Sequence, residues 1–176
     1  ADTFGVCPGT TDNNQHANFS VQQAHPGQTI HGNGSGFPRG ATVTVTIAGV
    51  ALTSGVTVVT GTEAPPYNWG NGTFDGFFTV PDVPAGNYSG ANTLTVSAGG
   101  LSACDSWFEI QPFISKVTPT SGSVGSSVKV DGRGFTYPGT ANIYFGNGTD
   151  VPQTGCNLVA SVPVNSNGTI SATFLA

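Results

Sequence analysis

The sequence has little charge, and what it has is mostly acidic. Charged residues make up 7% of the chain, against roughly 25% of an average soluble domain. Four basic residues stand against nine acidic ones, which gives a net charge of -5. Proteins that bind a phosphate backbone need clustered Lys and Arg side chains, so this composition argues against nucleic acid as a partner.

Long apolar runs and site motifs are also missing. No stretch of about 18 apolar residues occurs, so no membrane span is predicted. The histidines His16, His25 and His31 fit no recurrent zinc spacing, and the acidic residues are scattered singly rather than gathered in a calcium loop. No Gly-x-Ser-x-Gly elbow accompanies a strand-to-helix pattern. We therefore expect no metal, no cofactor and no enzymatic activity.

Methionine is absent, and cysteine is scarce. The chain opens Ala1-Asp2-Thr3, as a mature protein would after signal-peptide cleavage, which predicts a secreted or cell-surface protein. In an exported protein at least two of the three cysteines should be oxidised. Two pairings are open: Cys7 with Cys104 in one molecule, which leaves Cys156 free, or Cys7 with Cys156 of a neighbouring subunit.

Short alternating segments and turn residues dominate the sequence instead. In residues 41–47, apolar and hydroxyl side chains alternate, which places Val43, Val45 and Ile47 on one buried face of a strand. Asn-Gly pairs and prolines that separate such segments are typical of tight turns. The pattern predicts an all-β protein of sandwich type, with further strands at 56–59, 74–80, 93–97, 107–110, 128–130, 143–145, 158–164 and 170–174.

The chain contains an internal repeat. The segment 27–37 matches 125–135, which begins 98 residues later, and 71–78 matches 167–174, which begins 96 residues later. Both copies of the first segment end in Gly-x-Gly-Phe, at Phe37 and Phe135. We expect the glycines to bend the backbone while the phenylalanine closes the end of the core.

The second copy is predicted to be incomplete. The first copy continues through residues 81–110, but nothing after Phe174 corresponds to that stretch. This predicts two β-sandwich domains in tandem, at 17–112 and 113–176, the second lacking its last strands. Its core would then open into a groove, whose predicted lining is Val128, Ile143, Phe145 and Phe174.

The segment 118–135, with its Pro-x-Ser-Gly, Gly-Ser and Gly-x-Gly-Phe elements, resembles the opening of IPT/TIG-type immunoglobulin-like domains of bacterial and archaeal surface proteins. The first repeat resembles a diverged copy of the same kind of domain. The resemblance implies immunoglobulin-like sandwiches and leaves function open. The same opening is similar to that of chromoproteins of the neocarzinostatin kind, which carry two disulfides within one domain.

Residues 1–16 precede the first repeat and have no counterpart before the second. Phe4 and Val6, followed by Cys7, have strand spacing, so this extension is a candidate donor strand for the open groove of another copy. Such a head-to-tail contact between copies propagates into a filament. We therefore predict a structural subunit of an extracellular, pilus-like fibre assembled by donor-strand complementation, whose partners are copies of itself.

The alternative is a fragment of a multidomain cell-surface adhesin, or a carbohydrate-binding module that contacts surface glycans. The carbohydrate-binding interpretation rests on Tyr67 and Trp69, because an aromatic ring in a loop can stack on a sugar.

The sequence also contains six Asn-x-Ser/Thr sequons, where about three are expected by chance, so a glycoprotein is predicted. The candidate asparagines are Asn18, Asn33, Asn71, Asn87, Asn147 and Asn167.

Overall fold

The computed structural model describes residues 15–52, 72–88, 94–104, 108–146 and 155–176. Among these residues every regular element is a β-strand and none is a helix, so the all-β prediction is confirmed. The chain divides into two compact units. Unit 1 comprises Ala1–Pro81 and Gly86–Ile110, and unit 2 comprises Asp82–Ala85 and Gln111–Ala176.

The described residues of unit 1 form three sheets of short strands. The predicted strand at 41–47 is observed in part as β4, and the one at 74–80 as β6, whereas 56–59 lies outside the described residues. The sheet orders are β1-β3-β6, β5-β4-β8-β9 and β2-β10-β7. The strands are β1 His16–Phe19, β2 Gln23–Ala24, β3 Thr29–Phe37, β4 Thr44–Ile47, β5 Val50–Ala51, β6 Gly72–Thr79, β7 Gly86–Tyr88, β8 Thr95–Ala98, β9 Leu101–Cys104 and β10 Phe108–Ile110.

Aromatic rings fill the core of unit 1. Phe74 lies between Phe37 and Phe78, with ring centroids 5.7 and 6.2 Å away, and Phe19 lies 6.0 Å from Phe78. All three pairs have the edge-to-face geometry that aromatic quadrupoles favour. Phe74 and Phe78 occupy inward-facing positions of β6, as the period-two pattern of the sequence predicts, whereas Phe37 follows the register shift between Ser35 and Phe37 on β3.

The described residues of unit 2 form two sheets, of order β11-β12-β15 and β13-β14. Its buried side chains fall into two separate clusters, one around Val128, Val130 and Phe174 and the other around Ala141, Val164 and Ile170. The strands are β11 Phe113–Thr118, β12 Ser127–Arg133, β13 Thr140–Gly146, β14 Cys156–Pro163 and β15 Ile170–Leu175.

The segment Asp82–Ala85 also belongs to unit 2. Nε of Arg133 donates a hydrogen bond to Oδ1 of Asp82 at 2.5 Å, and this bond raises the pKa of Arg133. The N–H of Ala85 donates to the carbonyl oxygen of Phe135 at 3.2 Å. Val83, between these two anchors, is buried.

The internal repeat reappears in the strand register. In unit 1, Ile30 is paired with Phe78 and Gly34 with Phe74. In unit 2, the repeat-related residues pair in the same way: Val128 is paired with Phe174, and Gly132 with Ile170.

The second glycine of each Gly-x-Gly-Phe motif adopts a left-handed backbone conformation, with φ of 87° at Gly36 and 72° at Gly134. Such angles are unstrained only for glycine, and Phe37 follows directly and is buried. Phe135, at the same place in unit 2, is only partly buried and packs against the second cluster of that unit. The predicted bend is therefore present in both units, but the phenylalanine closes the core completely only in unit 1.

Candidate functional site

An apolar groove of about 360 Å³ lies between the two sheets of unit 2. The structure brings all four predicted groove residues to its walls. The described residues that line it are Ile114, Val117, Val128, Val130, Phe135, Ala141, Asn142, Ile143, Tyr144, Phe145, Ile170 and Phe174.

Alternation along the strands places these side chains. On β12, Val128 and Val130 are inward-facing, and β15 adds Phe174 from the neighbouring position in the same sheet. From the opposite sheet, β13 contributes Phe145, whose ring centroid lies 5.6 Å from that of Phe174. The groove therefore runs across the interior of the unit rather than over its outer surface.

One edge of strand β13, at this groove, has no partner strand among the described residues. In unit 1 the corresponding strand β4 is paired on both sides, with β5 and with β8. Within the part of the chain that the structure describes, β13 is paired only with β14. Five consecutive residues of β13, 141–145, border the groove. Because consecutive residues point to opposite faces of a strand, the backbone edge of β13 borders the groove as well as one of its faces.

No described strand covers this edge of β13, and an apolar side chain beside it is exposed to water. Ile47 at the end of β4 is 0% exposed, whereas Phe145 at the end of β13 is 49% exposed. Full burial of a side chain of this size is worth about 1.5–3 kcal/mol. A segment that covers the groove would therefore stabilise unit 2 through apolar burial and would also satisfy the open backbone edge.

The opposite rim of the groove was missed by the sequence reasoning. Ile114 and Val117 of β11 line it, although they are three positions apart and alternation predicts opposite faces. The pairing of β11 with β12 shifts between Ile114 and Lys116. This β-bulge absorbs one residue and returns Val117 to the same face as Ile114. A search for period-two alternation could not find this pair.

The candidate donor residues Phe4, Val6 and Cys7 lie outside the described residues, as do Tyr67 and Trp69. Cys104 is buried at the end of β9. Cys156 begins β14 as a half-buried free thiol, the state in which the intramolecular pairing of Cys7 with Cys104 would leave it. That pairing stays a prediction.

Among the six candidate glycosylation sites, three have described side chains. Asn18, Asn33 and Asn167 are exposed, and Asn18 and Asn33 are directly opposite each other on β1 and β3. Oδ1 of Asn167 accepts hydrogen bonds from the N–H and the hydroxyl of Thr169. Asn87 lies in β7, and Asn71 and Asn147 lie outside the described residues.

A second surface in unit 1 combines an aromatic ring with polar groups. Phe77 on β6 is 66% exposed, and its ring centroid lies 5.1 Å from the imidazole of His31 on β3. Nε2 of His31 lies 3.0 Å from Oδ2 of Asp75. This outward face therefore offers an apolar ring beside hydrogen-bonding groups.

No helix among the described residues has the length and hydropathy needed to cross a bilayer. In the same residues, no three His, Cys, Asp or Glu side chains lie close enough together to hold a metal ion. Comparison of the chain with protein-family models, curated proteins and solved structures found no match. The resemblance to IPT/TIG-type repeats thus rests on the motif residues alone.

Proposed function

We propose that the protein is a secreted structural subunit of an extracellular filament, built from two immunoglobulin-like sandwiches. The second sandwich is completed by a strand from another copy. The observation that carries this proposal is the apolar groove beside the edge of β13 that pairs with no other described strand. In this role the chain is non-catalytic and binds other copies of itself.

The groove suits a peptide strand better than a compact ligand. It combines an open backbone edge with apolar walls, and strand addition uses both, because main-chain hydrogen bonds provide affinity and alternate side chains fill pockets. Among the described residues, no Asp, Glu, Lys or Arg lines the groove, and the segment Phe4–Cys7 is also uncharged. The proposed donor therefore brings no charge that would have to be desolvated.

Donation between copies produces a fibre without any further contact. The donor segment and the groove residues are different parts of one sequence, so each subunit would give one strand and receive one. Such a heterologous contact generates an open chain of subunits unless its rotation closes a ring. The scarcity of charge, the sequons and the predicted disulfide support an extracellular location for this fibre.

Electron microscopy of the purified chain tests the proposal. We expect filaments that dissociate in denaturant and form again after its removal, because the contact is non-covalent. A population of single, fully folded chains at every concentration, with the apolar face of β13 protected from solvent by the same molecule, would contradict it. Hydrogen exchange of the β13 amides measures that protection.

The outward face of unit 1 favours carbohydrate binding as a second candidate function. An exposed ring such as Phe77 can stack on a sugar, while Asp75 and His31 can hydrogen-bond its hydroxyl groups. Replacing Phe77 with Ala should abolish retention on immobilised polysaccharides without altering filament formation. The matched control is Val50→Ala, an exposed apolar position on β5. Equal retention of both variants would rule out this surface as a sugar-binding site.

A further inference from the structure

We infer that the donor segment adds to β13 in antiparallel orientation, with Phe4 opposite Phe145 and Val6 opposite Ile143. This inference rests on the proposed function and specifies its binding mode. The guide is the complete unit of the same chain, in which β8 occupies the edge of β4 that corresponds to the open edge of β13.

The pairing of β4 with β8 provides the register. These strands are antiparallel, and Val45 is paired with Val96 and Thr46 with Thr95. The apolar residues Leu94 and Val96 are both completely buried. Leu94 precedes Thr95 by one residue, so continuation of the ladder places it at the level of Ile47. The edge of β4 is thus covered by two apolar side chains spaced two residues apart.

The 98-residue offset of the internal repeat transfers this register to unit 2. It relates Val45 to Ile143 and Ile47 to Phe145. Two buried positions support the alignment, because Val43 and Ala141, which the same offset relates, are both buried. A strand that replaces β8 must therefore present one apolar side chain opposite Phe145 and another opposite Ile143.

The N-terminal extension has this pattern. Leu94-Thr95-Val96-Ser97 in β8 compares with Phe4-Gly5-Val6-Cys7, with apolar residues at the first and third places and small ones between. In the antiparallel register, Phe4 adds a third ring to the pair formed by Phe145 and Phe174. A shift by one residue would turn both apolar side chains away from the groove.

Paired cysteine substitutions test the register in assembled filaments. In the predicted register, Gly5 is opposite Tyr144, the residue between Ile143 and Phe145 on β13. With Cys156→Ser to remove the free thiol, Gly5→Cys together with Tyr144→Cys should give a ladder of covalent multimers after oxidation, and reduction should abolish it. Two control pairs report other arrangements. Gly5→Cys with Asn142→Cys reports a shift by two residues, and Thr3→Cys with Asn142→Cys reports a parallel strand.

The outcomes separate the register from the proposed function. A ladder from the first pair alone supports the inference. A ladder from either control pair in normal filaments overturns the register and leaves the filament proposal intact. If the wild-type chain forms no filaments, both proposals fail. If a variant does not assemble, an electron cryomicroscopy map of the wild-type filament decides, because it shows either Phe4 or another residue opposite Phe145.

Discussion

Deletion of residues 1–12 should abolish polymerisation of the chain. The deletion removes Phe4 and Val6, the only apolar pair of the proposed donor, and the groove of unit 2 then stays open in every copy. All described strands of unit 1 are retained, since β1 begins at His16. We therefore expect a folded unit 1, an exposed groove and no filaments, as measured by electron microscopy and sedimentation.

The deletion also removes Cys7, so a matched control is needed. The full-length variant Cys7→Ser keeps Phe4 and Val6, and it should still polymerise. If filaments form after the deletion, or if Cys7→Ser alone abolishes them, the donor strand is not the cause of assembly.

A synthetic peptide of residues 1–12 should bind the truncated chain and stabilise unit 2. It should not produce filaments, because the peptide supplies a donor strand but has no groove that accepts a strand from another molecule. At a peptide concentration of about 100 times Kd, mass action predicts a stabilisation of about 2.7 kcal/mol.

The second large effect is expected from a pair of repeat-related phenylalanines. Phe78 and Phe174 have equivalent partners in their strand ladders, but Phe78 is 0% exposed and Phe174 is 8% exposed beside the groove. In the truncated chain, Phe78→Ala should cost about 3–5 kcal/mol of unit 1 stability, as is typical of a well-packed core. Phe174→Ala should cost unit 2 less, because one side of that ring has few packing partners.

Filling the groove should remove this difference in stability cost between the two substitutions. With the peptide of residues 1–12 bound, the cost of Phe174→Ala should approach that of Phe78→Ala, since the ring is then packed on all sides. Hydrogen exchange on peptides from β6 and β15 measures the two units separately in the same sample. Equal costs in the absence of the peptide would show that the groove of unit 2 does not leave its core under-packed.

Local alternation made much of the fold predictable. The predicted strand at 128–130 is present within β12, and the strand predicted at 143–145 is present within β13. The repeat pattern further indicated which strands have equivalent neighbours, as the shared register of Phe78 and Phe174 demonstrates. These features depend on residues close in sequence or on periods that a single chain displays.

The rest depends on contacts that no local pattern encodes. The bulge in β11 brings Ile114 and Val117 to one face, and its position follows from pairing with β12 rather than from the residues themselves. The bond between Arg133 and Asp82 joins residues 51 positions apart, and neither has a sequence neighbourhood that predicts the other. The walls of the groove were predictable for the alternating strands β12, β13 and β15, and its rim on β11 was not.

The assignment of Asp82–Ala85 to unit 2 has a consequence for anyone who wishes to move the two repeats as gene segments. A fragment that starts at Gln111 lacks the buried residue Val83 and also lacks Asp82, whose carboxylate accepts the hydrogen bond of Arg133. Unit 2 is thus discontinuous along the polypeptide, so no single gene segment that excludes unit 1 encodes all of it. Exchanging the repeats as independent gene segments would separate unit 2 from the buried residue that the segment 82–85 contributes to it.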